Sequence, residues 1–298
     1  MVKHWKMCLS GVWKVDMKTS KALPSIIRIA KYTFADEVRQ KSFVTLFGIC
    51  AIFVFLIRGC YQGNYSVNGQ LLDAETVVRS VSKVTFHIIA AVVMLITALL
   101  SMRVFRRDRD EGMQSCILSK PITRWQYVIG KIIGLWALSV LFMFILHSIV
   151  FLITSINLKV VMPEYLIASL LCSFNLLFVV VAVLLLSLLM PDIVAFLCVM
   201  GIGVVGFVAD GISAISHSQM AQAMMQQPGA HPQSDLTLWN AIYYLWPKLS
   251  GVQQLASWLI GSEAFHGFGF LYPLINVLLY CLILGALLFR RFRNEDIV

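Results

Sequence analysis

Charge is what this 298-residue chain has least of. Asp, Glu, Lys and Arg together make up 13% of it, against 59% hydrophobic residues, and the mean hydropathy is +0.82. A soluble domain carries roughly 25% charged residues, so a water-soluble globular fold is excluded. Acidic residues are nearly absent from the apolar runs, which argues against a proton-coupled carrier built on membrane carboxylates. There is no HExxH pair and no Gly-x-Ser-x-Gly serine, so the common protease and hydrolase signatures are missing. No GxxxxGK[ST] phosphate loop occurs either: Gly130-Lys131 lacks both the preceding glycine and the following Ser or Thr. The first 42 residues have no continuous apolar core of the length a cleavable signal needs, so none is expected. Cysteine is present but not in a bridging pattern. Cys50, Cys172, Cys198 and Cys281 fall in apolar runs, Cys8 and Cys116 on the side expected to be cytoplasmic, and only Cys60 on the other side, which leaves an external disulfide without a partner.

What is present is a set of apolar runs long enough to cross a hydrocarbon core of roughly 30 Å. Six segments are predicted to span: Phe43–Ile57, Val84–Met102, Ile132–Ser155, Tyr165–Met190, Ile193–Ala209 and Phe270–Phe289. The fold class expected is therefore all-α, a polytopic integral membrane protein with six transmembrane helices. The first and fifth runs are short and should extend into flanking polar residues. The basic residues set the orientation. Nineteen of the 24 Lys and Arg lie in 1–42, 103–131 and 290–298, and five in 58–83, 156–164 and 210–269. By the positive-inside rule the first three segments, and with them both termini, are cytoplasmic. An even number of spans agrees.

Three parts follow: a basic cytoplasmic segment 1–42, a six-span domain 43–290, and a tail 291–298. Within the first, Ser25–Ser42 reads as an amphipathic helix at the inner leaflet, opened by Pro24. Ile27, Ala30, Phe34 and Val38 recur at helical spacing, with Arg28, Lys31 and Arg39 on another side. Residues 210–269 form an external loop of two characters. Its first half is polar and rich in Gln, Met and Ala, with a turn at Pro228-Gly229. Its second half carries Trp239, Tyr243, Tyr244, Trp246 and Trp258, side chains suited to a membrane–water boundary. One or two short helices leaning on or dipping into the outer leaflet are expected there. Met190-Pro191-Asp192 is a tight turn, with Asp192 capping the next helix.

The densest charge is in 103–131. Arg106, Arg107, Asp108, Arg109, Asp110 and Glu111 continue the second span, and Gly112 permits a break. Met113–Leu118 offers a short, mostly apolar helical turn, Ser119-Lys120-Pro121 reverses the chain, and Thr123 can cap a helix beginning at Arg124. The result is a short lever on two rigid spans, able to carry a push from a soluble partner into the membrane. This loop resembles that of the permease subunits of type-2 ABC transporters, an exporter-like family serving polysaccharides, lipids, antibiotics and copper-associated systems. The matching residues are Arg107-Asp108-Arg109-Asp110-Glu111-Gly112, Leu118-Ser119-Lys120-Pro121-Ile122-Thr123-Arg124, Tyr127 and Gly130-Lys131. The leading helix, six spans, external excursion and Phe289-Arg290-Arg291 tail extend the likeness along the chain.

The resemblance implies an ATP-driven exporter permease, not itself an enzyme, working as a homo- or heterodimer with a separate ATPase. ATP and magnesium would be held by that partner, with no cofactor in this chain and no nucleic acid involved. It implies a coupling role for Arg106, Arg107, Asp108, Asp110, Glu111, Gly112, Ser119, Pro121, Thr123, Arg124, Tyr127 and Lys131, and a multi-pass protein of a bacterial inner membrane. A non-transporting anchor joining a cytoplasmic ATPase to an external partner would carry the same loop. His217, Met220, Met224 and His231 are weak candidates for a soft metal such as Cu(I), as a copper-associated permease would need. His87, His147, Asn175 and Asn276 fall within spans, where hydrogen bonding between helices is the expected role.

Overall fold

The structure is a computed structural model describing residues 22–56, 66–67, 70–71, 74–119, 122–158, 162–216, 245–261 and 271–294. Among them are ten helices: α1 (Ala22–Arg39), α2 (Lys41–Leu56), α3 (Ala74–Ser101), α4 (Val104–Asp110), α5 (Met113–Leu118), α6 (Arg124–Leu158), α7 (Glu164–Ser187), α8 (Asp192–Ser216), α9 (Leu249–Gly261) and α10 (Tyr272–Arg293). A minimal antiparallel hairpin, β1 (Ser66–Val67) with β2 (Gln70–Leu71), pairs Ser66 with Leu71 before α3.

Five stretches are long and apolar enough to cross a membrane: Val77–Asp110, Arg124–Ile156, Glu164–Ser187, Asp192–Asp210 and Tyr272–Arg293. The first expected span reaches that standard only in combination. The 16 residues of α2 extend about 24 Å, short of a hydrocarbon core. They qualify as a sixth span only when joined to α1, from which they are bent by 68°. Conversely, α6 runs 35 residues, about 52 Å, and projects well beyond the core.

Burial follows a lipid-solvated pattern. Leu282, Ile193, Ile52 and Leu56 are all more than 60% exposed, as hydrocarbon permits, whereas α7 is the buried centre. It packs against α3, α6, α9 and α10, and Phe86, Phe142, Leu146, Tyr165 and Leu176 fill one core beside it. Two of the expected intramembrane polar residues join helices there. His147 Nδ1 lies 3.0 Å from the Met143 carbonyl and 3.2 Å from Ser169 Oγ on α7. Asn175 donates from Nδ2 to the Leu249 carbonyl at 2.7 Å.

The leading helix α1 has a second, protein-packed face beside the apolar one read from the sequence. Its packed face is Ile26, Ile29, Thr33 and Glu37, while Ile27 is exposed and Ala30, Phe34 and Val38 are half-buried. The cause is a close crossing over α6 at Gly130 and Gly134. A Cβ on Gly130 would meet Ile29 Cβ at 2.6 Å, and one on Gly134 would meet the Ala30 carbonyl at 2.7 Å. This is the small-x-x-x-small solution for bringing two helix backbones together.

The described part of the aromatic half packs inside the bundle, where a helix leaning on or dipping into the leaflet was expected. Helix α9 is lodged among α3, α7, α8 and α10, and Trp246 donates from Nε1 to the Ile202 carbonyl at 3.1 Å against Gly206. Trp239, Tyr243, Tyr244 and the polar half lie outside the described residues.

Candidate functional site

The charged loop is built by interrupting a helix twice. After Ser101 the α3 axis breaks at Met102-Arg103 and resumes as α4. Glu111 closes α4 by donating its N–H to the Arg107 carbonyl at 2.9 Å, and Gly112 donates its own to the Arg109 carbonyl at 3.0 Å. Gly112 then takes φ +69°, a left-handed conformation that a residue with a Cβ adopts at a cost, and so turns the chain into α5. The start of α6 is half a capping box: Gln126 Oε1 accepts the Thr123 N–H at 3.1 Å.

These turns sort the loop's charges into two groups. Asp108, Tyr127 and Lys131 face inward and are almost wholly buried. Lys131 Nζ sits 2.6 Å from Asp108 Oδ2, and the Tyr127 hydroxyl donates to the same carboxylate. Tyr127 and Lys131 are one helical turn apart on α6, so both reach one carboxylate on α4. Phe105, Tyr127 and Phe292 stack around the pair with centroids 5.4 to 6.3 Å apart, and Lys131 lies 5.6 Å from the Tyr32 ring of α1. Beside it Arg107 bonds Asp36 and, at 2.8 Å, Glu37. Burial raises the Glu37 carboxyl above its ordinary 4.5, with Arg107 pulling it back. Asp36 and Glu37 did not stand out in the sequence; adjacent acids on an otherwise basic helix were the available signal.

The second group faces out. Asp110, Glu111, Cys116, Ser119 and Thr123 are exposed. Arg106 is exposed as well and reaches Asp192 at 3.4 Å. Asp192 is the first residue inside α8, one place later than the cap expected, where its charge suits the helix dipole. Arg124 donates to the Arg293 carbonyl at 2.8 Å, tying α6 to the end of α10. The tip is less apolar than expected. Helix α5 turns Gln114 and Ile117 inward and leaves Cys116 on the outside, because residues three apart share a face. A cavity of about 660 Å³ opens beside α4, between Leu46, Leu99, Leu100, Arg103, Arg106 and Asp192.

The candidate residues are thus brought together around one loop but in different roles: Asp108, Tyr127 and Lys131 brace it, while Asp110, Glu111, Ser119 and Thr123 present it. Pro121 lies outside the described residues, as do His217, Met220, Met224 and His231. Among the described residues no group of three or more His, Cys, Asp or Glu is placed to hold a metal.

A bundle of apolar helices carrying one braced, charged loop defines a polytopic membrane protein. The chain belongs to the ABC-2 family of transporter proteins, whose profile matches residues 27–297, and it is the transmembrane permease component of such a system. Among curated proteins none matches it significantly in sequence.

Proposed function

We propose that this permease works as an exporter, coupled to a separate ATPase through the 103–131 loop. The observation that carries the proposal is the buried Asp108–Lys131 pair beneath an exposed tip. A load applied at Glu111, Cys116 or Ser119 passes through α4 to Lys131 and so to the start of α6, instead of dissipating in a floppy loop. Arg107 carries the same load to α1, and Arg106 carries it to α8.

Two permease copies would stand side by side in a bacterial inner membrane, each with α2 completing a sixth span and α1 lying along the inner leaflet. Both termini would then lie on the loop side. ATP and magnesium belong to the partner. Cargo moves outward, or laterally from the lipid, between the copies, with α9 closing the far side. Purification from the native membrane is expected to bring down a stoichiometric ATPase, and scrambling Glu111–Arg124 is expected to lose it. A native preparation without any ATPase would overturn the coupling assignment.

A further inference from the structure

The far side of the bundle holds a second buried ion pair that the loop does not involve. Lys248, immediately before α9, places Nζ 3.0 Å from Asp210 Oδ1 on α8, and Ser250 Oγ donates to the other carboxylate oxygen. The side chains are 6% and 12% exposed. Asp210 is the last residue of the candidate span Asp192–Asp210, a depth at which buried ionisable groups are costly unless paired.

The surroundings of the pair are those of a plug. The backbone at Trp246–Lys248 is not helical although Pro247 and Lys248 are buried. Irregular backbone is tolerated at that depth only inside protein or beside a water-filled space. Side chains satisfy it: Asn276 Oδ1 accepts the Lys248 N–H at 3.0 Å, and Asn175 serves the Leu249 carbonyl. Further along, Gln253 Oε1 lies 3.5 Å from His87 Nδ1, and Arg79 holds the Ile260 carbonyl at 3.1 Å. Behind Lys248, the buried residues of α9 therefore mix Gln253 and Ser257 with Leu249, Val252, Leu255, Ala256 and Ile260. The groups opposite it, Asp210, Asn175, Asn276 and His87, are polar too. An apolar seal would leave hydrocarbon-like walls when withdrawn. Here the polar groups form a track, among apolar neighbours such as Phe178, Val277 and Phe86, that water can wet.

We propose that the Asp210–Lys248 pair is the latch that holds α9 in the bundle, and that its release opens a hydrated exit lined by Asn175, Asn276 and His87. The proposal rests on the permease reading for its purpose, but not for its test. A buried pair suits a latch because loss of one partner strands a charge, whereas loss of both is tolerated.

The test uses the full chain in nanodiscs, with the native cysteines replaced and a single cysteine at Val252, a fully buried position on α9. Its labelling by a water-soluble charged maleimide is timed. Lys248→Gln and Asp210→Asn are each expected to label about tenfold faster or more, and the exchange D210K/K248D to recover at least part of the protection. Equal rates in parent and single variants would overturn the latch. So would an exchange variant that labels as fast as both singles. Ser250→Ala, which keeps both charges, supplies a milder variant expected to label roughly two- to fivefold faster should the charge variants not assemble. No change in it would then count against the latch. These rates need neither ATPase nor cargo, so they stand or fall apart from the coupling assignment. Adding the co-purified ATPase with ATP should raise the parent's rate toward that of the single variants. An unchanged rate would overturn the exit role of α9 while leaving the pairing intact.

Discussion

Replacing Lys131 by Met tests the bracing of the loop most directly. The substitution conserves length and apolar volume but strips the counter-ion from Asp108, which is 2% exposed and 2.6 Å away. Breaking a buried pair by removing one partner costs about 3–5 kcal/mol, because the charge left behind is uncompensated. For a chain of this size each kcal/mol moves the midpoint by roughly 2–4 °C, so Lys131→Met should melt about 6–20 °C below the parent. Asp108→Asn should fall less far, since its amide oxygen still accepts from Tyr127. The double variant D108N/K131M carries no stranded charge and should recover most of the loss, to within about 2 kcal/mol of the parent. The assay is the fraction of monodisperse protein surviving a heat ramp in detergent, read by fluorescence-detected size exclusion. If the double variant loses the sum of the two single losses, Asp108 and Lys131 are not coupled and the brace is refuted. A shift below about 2 °C for Lys131→Met would refute it equally.

Three further outcomes follow from the same geometry. Gly134→Ala sets a Cβ 2.7 Å from the Ala30 carbonyl, a backbone atom that cannot swing aside, so a loss of about 1–3 kcal/mol is expected; an unchanged melting point would deny the close α1–α6 crossing. At Gly112 a Cβ meets nothing within 4 Å, so Gly112→Val strains only the backbone, by about 1–2 kcal/mol. It should weaken ATPase co-purification with a melting loss of about 2–8 °C, while Gly112→Asn, which tolerates positive φ, should retain the ATPase. Arg107→Ala removes the partner of a Glu37 whose carboxyl burial already raises. A raised acid contributes stability that is present below its unfolded value and lost as pH rises through its folded value. The melting deficit of Arg107→Ala should therefore be largest near pH 8 and shrink toward pH 5, and a pH-independent deficit would contradict the placement of Glu37.

The loop was legible because its signals are local. Charge density, Gly112, the Ser-x-Pro turn and the Thr123 cap each act within four residues; the structure puts the break at Gly112 and the helix start at Arg124, while the bond at Thr123 runs from its backbone N–H to Gln126. Which charges turn inward was not legible. In α4 the residues step round by about 100° each, so Asp108 and Asp110 point to different worlds although they look alike in a run of six charges. The clue lay elsewhere, in Tyr127 and Lys131 at a four-residue spacing on the next helix, a pair that makes sense only around a shared acid. The protein-packed face of α1 was not legible for a related reason. The helical spacing of apolar residues finds the side that prefers lipid, but α1 has a second preferred side created by Gly130 and Gly134, more than 90 residues away.

The same limit explains why α9 cannot be read as a buried helix from its own residues. Lys248 and Gln253 make it look like a surface segment, and their partners, Asp210 on α8, Asn276 on α10 and His87 on α3, are scattered over three helices. In water such scattered polar pairs would be optional. In a bundle surrounded by hydrocarbon they are obligatory, since each unmet group costs several kcal/mol. That difference makes polar residues in this chain better indicators of contact than apolar ones. A leucine on α8 or α10 is as content against lipid as against protein, so its position carries little information. A buried Asp or Lys requires a partner. Two such pairs, Asp108–Lys131 and Asp210–Lys248, sit where one helical element meets another across a break in the chain. A rigid bundle gains nothing from ionic joints at its breaks that apolar packing would not supply. A bundle whose two ends must shift in turn gains joints that can be re-paired.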